Sequence, residues 1–184
     1  MSKVRIKWNA ERFLSLSAMT ISFITLLIFV YQTNLMRKQN YLSILPYLML
    51  STTDQGSEQT FELHLKNHGV GPAIIESVTI EYKSKTHDLA DYEDDLFLLL
   101  ASIVPELDSI KNRSSSTLNK GMAIPANSDY HVFSVQNSPE SYQLITQSLD
   151  RLLHEGLTYR ITYRSIQNER WMIHNTSEGP EKLR

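Results

Sequence analysis

Residues 13–31 read FLSLSAMTISFITLLIFVY, a run of 19 residues without a charge. At a helical rise of about 1.5 Å per residue, this run covers about 28 Å, close to the thickness of a bilayer's hydrocarbon core. Trp8 and Tyr31 flank it, as aromatic residues do at membrane interfaces. The run predicts a single transmembrane helix near the N-terminus.

Two other kinds of segment have a similar composition: the core helix of a soluble protein and a cleaved signal peptide. A core helix normally has a polar face, whereas the only polar residues within this run are serines and threonines. A signal peptide has a shorter apolar region and a small-residue cleavage site, which the sequence QTNLMRK after Tyr31 lacks. We therefore predict a retained anchor.

Flanking cations predict the orientation of this anchor. The run is preceded by four cations and followed by two: Lys3, Arg5, Lys7 and Arg12, then Arg37 and Lys38. The excess favours a cytoplasmic N-terminus and a soluble domain on the periplasmic side of a bacterial inner membrane. A soluble domain that binds a nucleotide signal would instead have to lie in the cytoplasm.

A stripe of small residues follows one face of the predicted helix and comprises Ser15, Ala18, Ser22 and Thr25. Small residues let membrane helices approach closely, and hydroxyl groups can bond across the gap. The stripe therefore predicts homo-oligomers. In the alternative interpretation, the hydroxyls bond only to the backbone of their own helix.

The rest of the chain predicts a mainly β soluble domain. We expect a basic tail at 1–12, the transmembrane helix at 13–31, a helical neck at 32–44, the β-rich domain at 45–175 and a flexible tail at 176–184. Alternation of apolar and polar residues predicts about six strands, at 47–52, 61–66, 78–82, 130–135, 157–164 and 170–174. Two helices are predicted at 96–104 and 139–156, and a mobile loop at 106–119. Short strands with hairpin turns favour a sandwich or open barrel with two inserted helices.

Five carboxylates lie just before the first of these helices: Asp88, Asp91, Glu93, Asp94 and Asp95. Acidic residues stabilise the positive end of a helix. A calcium loop is the other interpretation, but its glycine and its ligand spacing are absent. We therefore predict a helix start.

The segment Asn67-x-Gly69-x-Gly71-Pro72-Ala73 leads from one alternating strand into the next. We expect the glycines to supply positive φ angles and the proline to fix the entry into the strand. The segment resembles a turn of bacterial single-pass membrane proteins that carry an immunoglobulin-like β domain, and the resemblance covers residues 8–83. It implies a structural turn and an architecture, and it implies no activity.

In overall plan, the chain also resembles the membrane effectors of antiphage systems. Among these are type III CRISPR effectors, in which a compact domain attached to a membrane helix binds cyclic oligoadenylates. This resemblance implies a nucleotide signal and a role in antiviral defence.

The search for catalytic motifs excludes several classes of site. The chain has no cysteine, no phosphate-binding loop, no nucleophile elbow and no His-Glu-x-x-His motif. The six histidines are scattered and form no metal-ligand pattern. For His131 and His174 a structural role is the main interpretation, and the binding roles described below are the alternative. We therefore predict a non-enzymatic protein without a metal or cofactor. The net charge of −2 also argues against duplex nucleic acid as a partner.

Charge is distributed unevenly along the soluble part. Residues 54–108 contain 12 acids and 3 bases, a net charge of −9, whereas residues 109–184 contain 7 acids and 9 bases, a net charge of +2. In the second segment, strand alternation and the following hairpin place four cationic or titratable residues on one face: Arg160, Arg164, Arg170 and His174. We predict that they bind an anion such as a nucleotide phosphate, with Tyr130 and His131 as candidates for base stacking. The alternative is a solvated face that pairs with neighbouring acids.

Two functions remain open from the sequence. In the first, the protein is a membrane-anchored sensor and effector whose soluble domain binds a signal and alters the packing of oligomerised membrane helices. In the second, it is a periplasmic β-sandwich that is tethered to the inner membrane and binds another envelope protein.

Overall fold

The computed structural model describes residues 10–183. Lys3, Arg5, Lys7 and Trp8, on which part of the membrane prediction depends, lie outside the described residues. The chain separates after Leu42 into two compact units, which are described in turn.

The first unit is one continuous helix, α1, at Ala10–Leu42. It is the one helix among the described residues that is long and apolar enough to cross a membrane. None of its described residues is buried, so large side chains such as Phe29 face outward. The predicted helix at 13–31 and its continuation into the neck are confirmed.

Two hydroxyls of the small-residue stripe, those of Ser15 and Thr25, have partners within α1. The Ser15 hydroxyl donates to the Arg12 carbonyl at 3.2 Å, and the Thr25 hydroxyl donates to the Ile21 carbonyl at 2.8 Å. Such bonds satisfy a hydroxyl without a second helix. Any contact between the α1 helices of two copies would then depend on close packing of the small residues rather than on these hydroxyl groups.

The second unit forms two antiparallel sheets. Its described strands are β1 (Leu48–Gln55), β2 (Thr60–Asn67), β3 (Ala73–Tyr82), β4 (Lys85–Asp88), β5 (Arg113–Ser115), β6 (Ala123–Ile124), β7 (Ser128–Val135), β8 (Thr158–Arg164), β9 (Arg170–His174) and β10 (Glu181–Lys182). The first sheet has the order β1-β2-β7-β5. The second has the order β10-β9-β8-β3-β4, and β6 pairs with the start of β3. The six predicted strands are all present, and four short strands are added to them.

Alternating apolar residues explain why the two sheets pack face to face. Leu63 and Leu65 of β2 are buried on the inner face of the first sheet, and Val78 and Ile80 of β3 are buried on the inner face of the second. Together they belong to one hydrophobic core. The predicted β-rich sandwich with two inserted helices is confirmed.

Both inserted helices begin where the sequence predicts. Asp95 caps α2 (Leu96–Ile103) by accepting from the amide of Phe97 at 2.8 Å. Ser138 caps α3 (Pro139–His154), and Gly156 follows its end with a φ of 90°. The sequence of α3 predicts an apolar stripe that comprises Tyr142, Ile145, Leu149, Leu152 and Leu153. The stripe is only partly buried, because Leu153 is 51% exposed.

Two segments are more ordered than the sequence suggests. The predicted mobile loop at 106–119 contains part of a 3₁₀ helix, Pro105–Ser109, and β5, which pairs with β7. The predicted flexible tail contains β10, which pairs with β9. The sequence does not indicate these two short strands because both segments are polar, and each strand pairs at the edge of its sheet.

Candidate functional site

A cavity of about 520 Å³ lies between the two sheets. Its walls are mainly apolar and come from both sheets and both helices: Leu50, Phe61, Leu63, Val78, Ile80, Leu96, Leu100, Leu149, Leu152, Leu153, Leu157, Tyr159 and Ile161. Sites that bind small ligands or side chains are typically concave and apolar and have volumes of about 300–1,000 Å³. The cavity therefore has the size and the lining of a binding site.

The polar residues of the cavity lining are Thr52, Asp54, Thr146, Asp150 and Asn175. Asp54 accepts a hydrogen bond from the Tyr142 hydroxyl at 2.5 Å. This bond raises the pKa of Tyr142, so the phenol stays protonated and keeps donating. Asn175 donates to the Leu157 carbonyl at 2.9 Å. The charged lining residues are thus both carboxylates, which favours a ligand with a cationic or hydrogen-bond-donating group.

The sequence alone does not indicate this cavity. Alternation identified Leu63, Val78 and Ile161 as inward-facing residues, but it does not show where packing is incomplete. The gap depends on how α3 lies against the sheets, which is a tertiary property. The half-exposed Leu153 is an apolar residue that the helical stripe placed in the core, and it lines the cavity instead.

The predicted anion site separates into two parts. Arg164 and Arg170 are opposite each other in the β8–β9 pair, and both approach Glu76 of β3. The Arg170 Nε lies 2.6 Å from Glu76 Oε2, and the Arg164 Nε lies 4.0 Å from Oε1. Arg164 also donates to Asn168. An anion bound to these two arginines would have to displace Glu76, so here the geometry favours the interpretation of a face paired with neighbouring acids.

Arg160 has a different environment. It lies opposite His174 in the same strand pair, and both line a concavity of about 320 Å³ with four threonines: Thr79, Thr86, Thr158 and Thr176. Arg160 makes no ion pair with any residue in the described range, whereas His174 Nε2 lies 3.3 Å from Glu181. Glu81 also lines the concavity. The site offers one guanidinium and several hydroxyls, enough for a single anionic group.

The two residues proposed for base stacking lie elsewhere. Tyr130 and His131 belong to β7 of the first sheet, whereas Arg160 belongs to β8 of the second. The Tyr130 hydroxyl donates to the Thr117 carbonyl at 2.7 Å, and the His131 ring packs edge-on against His64 at 5.8 Å. The structure therefore does not bring these aromatic rings to the arginine face, and that part of the prediction was wrong.

The glycine turn has a structural role centred on Asn67, which is 1% exposed. Its side-chain amide lies within hydrogen-bonding distance of five backbone groups: the N–H groups of Tyr47 and Gly69 and the carbonyls of Gly71, Ile124 and Pro125. Buried amides are costly unless paired in this way. Asn67 thus fixes the turn to the segment that enters β1.

The glycines serve close approach rather than unusual backbone angles. Neither Gly69 nor Gly71 has a positive φ, so the predicted reason for them was wrong. An added Cβ would lie 2.4 Å from the Leu45 carbonyl oxygen at Gly69 and 1.9 Å from the Ile44 carbonyl oxygen at Gly71. The residues before β1 pass so close to the turn that no side chain fits. Pro72 directly precedes β3, as predicted.

Backbone hydrogen bonds complete this attachment. The His68 amide donates to the Tyr47 carbonyl at 2.8 Å, and the Val70 amide donates to the Leu45 carbonyl at 3.0 Å. We call the contact between residues 44–47 and residues 67–71 the neck clamp. It ties the start of the sandwich, directly after the neck, to the core of the domain.

The acidic segment caps local structure. Asp88 accepts from the amide of Ala90 at 3.1 Å, and the Asp95 carboxylate accepts from the α2 amides and from the Ser115 hydroxyl at 2.6 Å. Asp94 accepts from the Asn119 side chain at 3.1 Å. These bonds support the predicted helix start.

Comparison with known proteins identifies one family. The family model described as "Domain of unknown function (DUF8453)" matches residues 13–178. The match spans both the apolar helix and the sandwich, so the two units occur together in the family. No curated protein and no solved structure matches the chain.

Proposed function

The chain belongs to the DUF8453 family, and we propose that it is a non-enzymatic, single-pass sensor and effector of the bacterial inner membrane. In this proposal, a ligand binds between the two sheets of the soluble domain and changes how oligomerised membrane helices pack. The observation that carries the proposal is the apolar cavity of about 520 Å³.

The position of β1 supports a link between ligand and membrane. Leu50, Thr52 and Asp54 of β1 line the cavity. β1 is also the first strand after α1, and the neck clamp holds the residues directly before it. A ligand that contacts β1 therefore acts on the strand that continues the membrane anchor. A ligand can shift the packing of the membrane helices only if its contacts with the protein differ between the two packing states.

Filling the cavity should abolish binding without unfolding the domain. All buried core residues belong to residues 43–184, so we expect this fragment to fold by itself. An apolar fluorophore, such as 1-N-phenylnaphthylamine, should bind it and brighten. In Leu149→Trp the added indole occupies the space, and the dissociation constant should rise about ten-fold or more, a change of about 1.4 kcal/mol.

Ile166→Trp is the matched control, because Ile166 is 53% exposed and does not line the cavity. It should bind the fluorophore as the unchanged fragment does. Equal binding by the Leu149→Trp and unchanged fragments, with both folded, would count against the cavity as a ligand site.

A second candidate ligand is a nucleotide or another anion at Arg160. Its support is that the Arg160 guanidinium, beside His174 and the threonines, has no ion-pair partner within residues 10–183. A cyclic oligoadenylate should then bind the chain in calorimetry. Arg160→Ala should weaken binding about ten-fold or more, because a hydrogen bond to a charged group contributes about 1.5–3 kcal/mol. Arg164→Ala should change it little, because Arg164 pairs with Glu76 and Asn168. Equal effects of the two variants would contradict this site.

We also propose that the stripe Ser15, Ala18, Ser22 and Thr25 forms the contact between membrane helices. Small side chains let two helices pack closely in lipid, where apolar burial provides no net attraction between them. The opposite face of α1 carries large side chains such as Ile21 and Ile28 and would face lipid. This contact is the element that ligand binding would change.

A further inference from the structure

Among the strands of residues 10–183, β1 lies at the edge of the first sheet and pairs with β2 alone. Its sequence, LMLSTTDQ, contains no lysine, arginine or proline. Proteins usually protect exposed edges with such residues, because an edge strand offers unpaired backbone groups to any other extended chain. The first six residues of this edge, 48–53, carry no charge and no proline, so they are suited to pairing with another strand. The one charge of β1, Asp54, would favour a strand that carries a basic residue.

The hydrogen bonds of the hairpin show which groups of β1 face outward. The His68 amide bonds to the Tyr47 carbonyl, and antiparallel pairs alternate between bonded and non-bonded residues. Met49, Ser51 and Thr53 therefore bond to β2, whereas Leu50, Thr52 and Asp54 direct their N–H and C=O groups to the free edge. The Leu48 amide fits this alternation, because it points away from β2 to the Tyr163 hydroxyl at 3.4 Å.

The outward-facing residues are also the residues of β1 that line the cavity. Other parts of its lining come from Tyr159 of β8 and from Asn175, which directly follows β9. In an added strand, every second side chain would point to the same face of the sheet as Leu50 and Thr52. Those side chains would enter the apolar cavity.

We propose that the ligand is an extended peptide segment that adds to the free edge of β1, places alternate apolar side chains in the cavity and places a basic side chain beside Asp54 and Asp150. The proposal rests on the ligand-binding function proposed above and names the ligand class. Backbone pairing with alternating side-chain pockets is an established mode of peptide recognition.

The negative charge of the cavity lining is the reason to expect a basic residue in the peptide. The charged residues that line the cavity are Asp54 and Asp150. Asp54 accepts one hydrogen bond, from Tyr142, and so keeps acceptor capacity for a ligand. Asp150 Oδ1 lies 3.3 Å from His154 Nδ1, and both side chains are largely exposed. A lysine or arginine of the peptide would complement these carboxylates.

The test uses the full chain in lipid nanodiscs and a synthetic peptide, acetyl-TVTVTVTK-amide. Hydrogen exchange followed by mass spectrometry should show that the peptide slows exchange in the segment 48–55. The slowed exchange should correspond to three amides, those of Leu50, Thr52 and Asp54. A peptide that is N-methylated at alternate residues, so that it cannot donate to β1, should bind at least about ten-fold more weakly.

Two variants test the geometry. Thr52→Pro removes an outward donor and leaves the bonds to β2, so it should weaken the lysine peptide about ten-fold or more, whereas Ser51→Ala should not. Asp54→Lys should weaken the lysine peptide and strengthen the same peptide ending in glutamate. This reversal keeps the test valid even if Thr52→Pro fails to fold.

Three results with the peptides would overturn the proposal: binding of the lysine peptide without protection of segment 48–55, the same affinity in Asp54→Lys for both peptides, or no binding of the lysine peptide. Protection of the segment without peptide, rising with protein concentration, would show that a second copy covers the edge and would also overturn it. If the fluorophore still binds the fragment in a Leu149-dependent way, the ligand-binding function stands and only the peptide class is wrong. Loss of both would remove the function as well.

Discussion

Gly71→Ala is expected to destabilise the soluble domain strongly. The new Cβ would lie 1.9 Å from the carbonyl oxygen of Ile44 and 2.8 Å from its Cα, which are backbone atoms and cannot rotate away. Either the neck clamp opens or the turn shifts, and each exposes the buried hydrogen bonds of Asn67. We expect a loss of about 4 kcal/mol or more, a large part of the usual stability of about 5–15 kcal/mol.

Urea denaturation of the fragment 43–184 measures this loss, and Gly121→Ala provides the control. Gly121 has a φ of 87° and nothing within 4 Å of an added Cβ, so alanine costs only backbone strain of about 1–2 kcal/mol there. An equal shift of the urea midpoint in both variants would contradict the close approach at Gly71. A wild-type midpoint in Gly71→Ala would contradict the neck clamp itself.

Removing residues 1–42 is expected to change the location of the protein completely. The full chain should stay with the membrane pellet after carbonate washing, because α1 exposes an apolar surface along most of its length. The chain that begins at Ser43 should move to the supernatant, since its core is self-contained.

A milder change tests the same helix without shortening the chain. Arginine at both Ile24 and Leu27 places two charges near the centre of the span, and each costs about 2.5–3.5 kcal/mol of insertion free energy. This variant should insert poorly, whereas valine at the same two positions should insert normally. Release of the unaltered chain by carbonate, or its retention without residues 1–42, would contradict the membrane anchor.

The sequence predicts much of the fold because its local signals are strong. The period-two pattern of Phe61, Leu63 and Leu65 places β2, and all three residues are buried. Ser138 and Pro139 mark the start of α3, where Ser138 accepts from the Ser141 amide. Short elements such as β5 and β10 have no such pattern, since they depend on pairing with β7 and β9.

The candidate site is less accessible from the sequence because it depends on contacts between distant segments. Alternation correctly places Arg160, Arg164 and Arg170 on one face, but it gives no information on Glu76, which pairs with two of them. The sequence marks Gly69 and Gly71 as special. Glycine is needed there because of the backbone at residues 44–45, which is more than twenty residues away in the chain. The cavity itself arises where two sheets and two helices leave space unfilled.

The most direct test of the proposed function measures contact between membrane helices while a ligand occupies the cavity. Because the chain has no cysteine, Ser22→Cys introduces a unique thiol on the small-residue stripe. In membranes, oxidation should crosslink this variant to a dimer, whereas Ile28→Cys on the opposite face should crosslink much less. Adding 1-N-phenylnaphthylamine should change the crosslinking rate of Ser22→Cys about five-fold or more, the lower end of typical coupling between sites. The same variant with Leu149→Trp should not respond, because its cavity is already filled. An equal response in both backgrounds, or fluorophore binding with no change in crosslinking, would contradict a sensor that acts through its membrane helix.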